Sequence, residues 1–354
     1  MPAIDKLFEA LLAEDGSDLH LAEGQPPKIR RHGRLETLPD HPVLTAETMR
    51  RYLAEICGPE RWQSFLETSD LDFAYAFGEA ARFRSNYFCQ AHGLGAVFRT
   101  ITSKIKTLDD LKLPPVLKTF SLLRAGLVLV TGPTGSGKST TLAAIIDLIN
   151  ETSARHILTI EEPIEFVHPN KASIICQREV GTDVNSFADG LRTAGRQDCD
   201  VILVGEMRDY ETISLAVSAA STGSLVFGTL HTNSAVKTVD RIIDVFPAAQ
   251  QAQIRSMLAD SLKGVCAQIL LRTADGKGRV ACNEILLSNS ALANSIREGK
   301  TPNIRNVIQA GKAQGMQLMD DAIQKHLSEQ KITAEEAYMK ATEKARFAQH
   351  VQRT

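Results

Sequence analysis

The run GPTGSGKST, Gly132 to Thr140, holds the residue types that phosphate chemistry needs, at the spacing it needs. Gly132, Gly135 and Gly137 accept the left-handed backbone angles that turn successive N–H groups toward one anion. Lys138 brings a cation to the β/γ oxygens, and Ser139 brings a hydroxyl suited to a Mg²⁺ shell. Pro133, Thr134, Ser136 and Thr140 complete the nucleotide-binding loop. The apolar run Leu127-Val128-Leu129-Val130 precedes it, and Thr140 to Asn150 follows with apolar residues at helical spacing. The loop therefore lies between a buried strand and a helix whose positive dipole end faces the phosphate. That context weighs against an accidental glycine-rich turn.

Other charged residues fall where a phosphate site would use them. Glu161-Glu162-Pro163-Ile164-Glu165 follows the apolar run His156 to Ile160. A carboxylate at such a strand end can orient the water that attacks a γ-phosphoryl group, and Glu165 is the nominee. Three acids in five residues also suit a solvated turn. DVILVGE, Asp200 to Glu206, is an apolar strand ending in an acid, the Walker B layout; Glu206 would act on Mg²⁺ through water. The strand Leu225 to Leu230 leads into His231, either a γ-phosphate sensor or a structural histidine. Arg82 and Arg84 share one face of a strand, Arg99 lies in the alternating run Ala96 to Arg99, and Arg192 and Arg196 are one helical turn apart. Arginines borrowed from a neighbouring subunit stabilise transition-state charge in oligomeric motors, and a solvated face is the plain alternative for each.

These groups need elements to hold them. Residues 4 to 14 read as a helix, Ser17 to Leu21 as a half-buried strand, and Thr45 to Ile56 as a helix. Asp72 to Phe77 and Ala81 to Phe88 read as a hairpin around Gly78-Glu79-Ala80. The basic run Lys28 to Arg34 suits a solvated strand and turn. Leu113-Pro114-Pro115 stops a helix and marks a linker over 107–115. Beyond it strands alternate with helices, at about Ser186 to Arg196 and Tyr210 to Ser221, which predicts a parallel sheet with ligands at its carboxyl edge. After Pro247 helices are expected over Ala248 to Leu271, Asn289 to Glu298, Thr301 to Ala310, Leu318 to Ser328 and Ala334 to Thr342.

A chain of 354 residues, 43% of them hydrophobic, can bury two cores, so two domains are expected. A net charge of −2 argues against a protein whose task is neutralising nucleic acid. No apolar run approaches the roughly 18 to 20 residues of a membrane span, and the opening MPAIDKLFEALLAEDG reads as an acidic amphipathic helix, not a signal peptide. A cytosolic location is expected. The cysteines, Cys57, Cys89, Cys176, Cys199, Cys266 and Cys282, contain no C-x-x-C, so neither disulfides nor a zinc site are expected.

Taken together, GPTGSGKST, TIEEPIEFVH (Thr159 to His168), DVILVGEMRD (Asp200 to Asp209) and FGTLHTNSA (Phe227 to Ala235) resemble the ATPases of type II and type IV secretion. SDLHLAEGQPP (Ser17 to Pro27), ARFRSNYF (Ala81 to Phe88), FPAAQQAQIRSMLADSLKGV (Phe246 to Val265) and GMQLMDDAI (Gly315 to Ile323) extend the likeness to the type IV pilus retraction ATPases, the PilT family. The resemblance implies an α/β chain: a small PAS-like α+β N-terminal domain (1–106), a linker, and a RecA-like P-loop NTPase domain (116–354) with a helical C-terminal part. It implies a homo-hexamer that hydrolyses ATP with Mg²⁺ to drive pilus retraction and twitching motility. The ring would work at the cytoplasmic face of the inner membrane, against the pilus platform protein and beside a paralogous pilus ATPase. By position Lys138 and Ser139 match the Walker A pair, Glu165 the catalytic glutamate, Glu206 the Walker B acid, and His231 the histidine box. Arg84 and Arg99 match arginines that reach bound nucleotide.

The chain departs from the family pattern in three places. Glu162 replaces an aspartate, Ser224 replaces a histidine, and Arg196-Gln197-Asp198-Cys199-Asp200 replaces an Arg-x-Asp-Pro-Asp arrangement after Gly195, a residue read as lying within the preceding helix. The departures touch turnover more than binding and leave room for an accessory subunit that hydrolyses little. Extension and type II secretion ATPases carry a four-cysteine zinc insertion, for which this chain lacks the C-x-x-C pairs. A nucleic-acid translocase on the same core would need a basic groove.

Overall fold

Alternation of inward apolar and outward polar residues builds an antiparallel sheet in the first third of the chain. The protein is described from a computed structural model covering residues 2–31, 34–78, 81–101 and 105–351. It divides into two compact units, Met1–Lys104 with Glu162–Val167, and Ile105–Glu161 with His168–Thr354.

The first unit contains α1 (Asp5–Ala13), β1 (Asp18–Ala22), β2 (Lys28–Arg31), β3 (Arg34–Thr37), α2 (Ala46–Cys57), α3 (Pro59–Thr68), β4 (Asp70–Phe77), β5 (Ala81–Gln90) and β6 (Gly93–Ile101). Its sheet runs β3-β2-β1-β6-β5-β4, every pair antiparallel. On β5, Ala81, Phe83, Ser85 and Tyr87 point inward, which leaves Arg82 and Arg84 on the opposite face. Phe8 of α1 stacks on Phe83 at 4.3 Å and meets Phe98 edge-on at 5.1 Å, anchoring the helix to the sheet. Thr45 caps α2 by accepting the Thr48 N–H, worth about 1 kcal/mol. The expected hairpin is β4–β5; Glu79 and Ala80 of its turn, like His32 and Gly33 of the basic run, lie outside the described residues. Helix α3, started by Pro59 at its first position, was not anticipated.

The second unit alternates as expected: β7 (Gly126–Thr131), α4 (Lys138–Thr152), β8 (His156–Glu161), β9 (Ile174–Glu179), α5 (Phe187–Ala194), β10 (Val201–Val204), α6 (Tyr210–Ser221), β11 (Leu225–Leu230), α7 (Ala235–Asp244). There follow α8 (Gln251–Ser261), β12 (Leu262–Arg272), β13 (Arg279–Leu287), α9 (Ser290–Arg297), α10 (Ile304–Ala310), α11 (Met319–Ser328), α12 (Ala334–Lys340) and α13 (Lys344–Val351). The sheet order is β13-β12-β7-β11-β10-β8-β9, parallel except for the β12–β13 pair. All residues of β7, β10 and β11 are buried, because helices cover both faces of a parallel sheet; hence the unbroken apolar runs. Residues 105 to 115 group with this unit, Leu108 and Leu113 being buried in its core.

The α/β expectation holds, with one large correction. The helix read over Ala248 to Leu271 ends at Ser261; Leu262 turns extended, with φ −66° and ψ 118°, and an eleven-residue strand begins. The apolar run from Leu262 to Leu271 fits a buried strand as well as a helix, and periodicity cannot separate the two. Gly264 lets the strand approach Phe120, whose ring a Cβ would meet at 2.5 Å. Gly195 is the residue after α5, not inside it, so the interior glycine of that helix is Gly190 instead. Among the described residues no helix is long and apolar enough to cross a membrane.

Candidate active site

Parallel strands in register deliver their following residues to one sheet edge. Thr131 of β7 pairs with Leu230 of β11, and Val204 of β10 pairs with Gly228 of β11 and Ile160 of β8. Gly132, His231, Glu206 and Glu161 thus leave the same edge of four neighbouring strands, the edge where such sheets bind ligands.

The loop after β7 has the shape its glycines allow. Gly132 has φ 147°, and a Cβ there would lie 2.1 Å from the carbonyl oxygen of Gln268. Gly137, at φ 84°, is the N-cap of α4. Pro133, Thr134, Gly135 and Ser139 are exposed, Thr140 is half-buried, and the hydroxyl of buried Ser136 has no hydrogen-bond partner. Lys138 Nζ donates to the carbonyls of Gly132 (2.9 Å) and Pro133 (3.2 Å), so the ammonium is held over the loop. A cradle closed to a side chain at Gly132, a helix N-terminus and a tethered cation fit a phosphate chain. Beside it a cavity of about 450 Å³ is lined by Leu111, Leu113, Thr140, Leu270, Arg279 and Ala281 among others. Its apolar walls suit a flat ring and its guanidinium a polar edge. The sequence reading missed these wall residues; Leu113 was read only as linker, and Leu270 was assigned to a helix.

Glu206 is held at this edge by two side chains. Its Oε1 is 2.8 Å from His231 Nε2, and Arg208 forks onto both oxygens at 2.5 and 2.6 Å. Burial pushes its carboxyl up, but the hydrogen bonds and charge of Arg208, with His231, outweigh that and hold it below the usual carboxylate range. The arginine is two-thirds exposed, so the fork is a surface pair of about 1 kcal/mol or less that can open toward a ligand. Ser139 and Glu206 are a hydroxyl and a charged carboxylate, a donor set suited to a hydrated Mg²⁺ that takes its remaining oxygens from phosphate and water.

The remaining nominees group elsewhere. Glu165 belongs to the short stretch Glu162–Val167 that packs with the first unit, where its Oε1 is 4.0 Å from Arg84 Nη1. Arg84 and Arg99 are direct cross-strand partners on β5 and β6. Arg99 Nε donates to Asp18, its partner on β1, at 2.9 Å, while most of the guanidinium stays in solvent. Burial opposes ionisation of Asp18, yet Ser17 and Arg99 hold its carboxyl below the usual range. Glu161 instead stays with the second unit, accepting from Thr159 and Gln177. Arg192 pairs with Asp189 and Glu211, the bland outcome, and Arg196 lies exposed beyond the end of α5. Ser224 donates to the Cys199 carbonyl at 3.4 Å; both sit at the starts of β11 and β10, the edge opposite the phosphate loop. Those two departures are therefore remote from the site.

Residues 69–353 match the family profile described as "Type II/IV secretion system protein". The chain is 50% identical over 315 residues to a "Twitching motility protein" of Neisseria gonorrhoeae, covering 89% of this chain and 84% of that one. It is 47% identical over 338 residues to the "Type IV pilus retractation ATPase PilT" of Pseudomonas aeruginosa, covering 96% and 98%. The fold is similar, with a TM-score of 0.91, 40% identity and 99% of both chains covered, to a crystal structure of "the Pilus Retraction Motor PilT and Bound ADP".

Proposed function

The chain belongs to the type II/IV secretion ATPase family, and from that premise we propose that it is the motor that powers retraction of a type IV pilus. It is an ATPase. One observation carries the chemistry: the phosphate loop, Glu206 and His231 leave adjacent strands β7, β10 and β11 at a single sheet edge.

In this reading the N–H groups from Gly132 to Thr140 bind the phosphate chain and Lys138 neutralises the β/γ oxygens. The base and ribose enter the cavity beside Leu113 and Leu270. Ser139 and Glu206 would hold Mg²⁺, which would neutralise charge developing on the phosphoryl oxygens. His231 orients Glu206 and senses the γ-phosphate. Glu165 accepts the proton of the attacking water, and Arg84 and Arg99 stabilise charge on nucleotide held by another copy. Arginines acting between subunits need an oligomer, and the family resemblance makes it a homo-hexamer. Its natural partners are the pilus platform protein and a paralogous pilus ATPase, met at the cytoplasmic face of the inner membrane.

Two measurements test the reading. The purified protein should hydrolyse ATP and Lys138→Ala should not; turnover by that variant at the parent rate would remove the phosphate assignment. Deleting the chain from its host should leave abundant surface pili that fail to retract, whereas loss of pili would make it an extension motor.

A further inference from the structure

The underside of the phosphate loop rests on a buried amide. Gln268, in the middle of β12 and 2% exposed, donates from Nε2 to the Ser136 carbonyl at 2.7 Å. Its Oε1 accepts from Thr141 Oγ1 and from Asn283 Nδ2, each at 2.9 Å. The Ser136 carbonyl can only accept, so the amide nitrogen must face it, and the two donors then fix the oxygen. The same residue's backbone carbonyl limits Gly132 to glycine. Gln268 thus grips the loop on either side of Gly137, once at Ser136 and once in the first turns of α4.

The amide is also one end of a buried polar path. Asn283, its partner on β13, accepts from Gln317 Nε2 at 2.8 Å, and Gln317 exchanges backbone hydrogen bonds with Ile285. Between them Glu284 accepts the first N–H groups of α7 (Ala235, 2.8 Å) and α11 (Met319, 3.3 Å). Helix α7 begins four residues after His231.

We infer that Gln268 is a positioning residue for nucleotide binding: its amide holds the loop from Gly132 to Thr140 in the phosphate-accepting shape and ties that shape to the β12–β13 hairpin. The reason is geometric. A peptide whose carbonyl is pinned downward presents its neighbouring N–H groups upward, and a loop that is already shaped does not lose ordering entropy on binding. The inference rests on the phosphate-loop assignment, and Lys138→Ala tests that assignment separately.

Two variants at one position test it. Gln268→Leu keeps roughly the volume but removes donor and acceptor. Gln268→Glu supplies both when protonated, an O–H for Ser136 and a carbonyl for Thr141 and Asn283, yet turns a carboxylate oxygen against the Ser136 carbonyl when ionised. Burial raises such a carboxyl, which brings its titration into a measurable range. Gln268→Leu should raise KM for ATP about tenfold at every pH while kcat changes by less than about threefold. Gln268→Glu should show a KM near the parent's at pH 6 and about tenfold higher at pH 8.5. A residue that only fills the core would lower the melting temperature without this reversal. A Gln268→Leu protein with the parent KM overturns the inference. So does a Gln268→Glu protein whose KM tracks the parent's across pH, and that arm decides if the leucine variant does not fold. If Lys138→Ala also leaves ATP affinity unchanged, the phosphate-loop assignment falls with it.

Discussion

His231 Nε2 lies 2.8 Å from Glu206 Oε1, joining the ends of two adjacent parallel strands. The acid that would face the metal and the histidine that would sense the terminal phosphate are thereby one unit, and Arg208 holds its other side. A change in one reaches the other without moving the sheet, because β10 and β11 are wholly buried and rigid beneath them.

Glu206→Gln should lower kcat by a factor on the order of 10² with nucleotide affinity largely kept, since the amide keeps the contact to His231 but not the charge. Its pH behaviour has a definite sign. The folded carboxyl is held below its ordinary value near 4.5, so its stabilising contribution is present above that pH and lost as pH falls through the lower, folded value. The melting-temperature difference between parent and variant should shrink as pH falls below about 4.5. A difference that persists unchanged there would mean that Glu206 is not held charged.

Glu165→Gln should slow hydrolysis by on the order of 10² or more while ATP still binds, because an amide cannot accept the proton of the attacking water. Single-turnover hydrolysis and equilibrium binding measured on one preparation separate the two effects. Loss of binding with turnover per bound ATP unchanged would make Glu165 structural and turn attention to Glu161 or Glu162.

Arg84 and Arg99 stand directly opposite each other, a like-charge cross-strand pair of the kind that destabilises a sheet unless an anion or acid lies nearby. Asp18 serves Arg99 within the first unit. If the arginines act on nucleotide bound to another copy, mixing Arg99→Ala with Glu165→Gln should recover activity that neither has alone, and ATPase per mole should rise with protein concentration. A fully active monomer, or mixtures no better than the parents, would leave both as charges of their own subunit.

His168 is 8% exposed and its Nδ1 has no hydrogen-bond partner; Asp147 Oδ1 is 3.9 Å away. Burial drives its pKa from 6.5 down to about 4, against the pull of Asp147. The unfolded chain therefore binds the proton first. Stability from this group is complete above pH 6.5, falls as pH drops from there to about 4, and amounts to about 3 kcal/mol over that span. Unfolding free energies at pH 7 and pH 4 should differ by about that much less in His168→Phe than in the parent. Equal differences would mean that His168 takes up its proton in the folded state.

The sequence alone determined the phosphate loop, the Walker B strand and the strand before His231, because each is a local pattern. Glycines that need unusual angles, an unbroken apolar run and an acid at its end signal themselves within ten residues. Those same runs determined a covered parallel sheet. Only the tertiary structure decided that β11 lies between β7 and β10, which brings His231 to Glu206. It also decided that Glu162–Val167 leaves the second unit's grouping and carries Glu165 to Arg84. The run from Leu262 to Leu271 became a strand because it adds to β7, which is remote in sequence, on one side and receives β13, its hairpin partner, on the other. Gln268 was invisible for the same reason. One polar residue in an apolar run looks like an interruption until its partners Ser136, Thr141 and Asn283, 132, 127 and 15 positions away, are folded around it. Hydrogen bonds of a buried amide are satisfied in three dimensions, and periodicity along the chain carries no record of them.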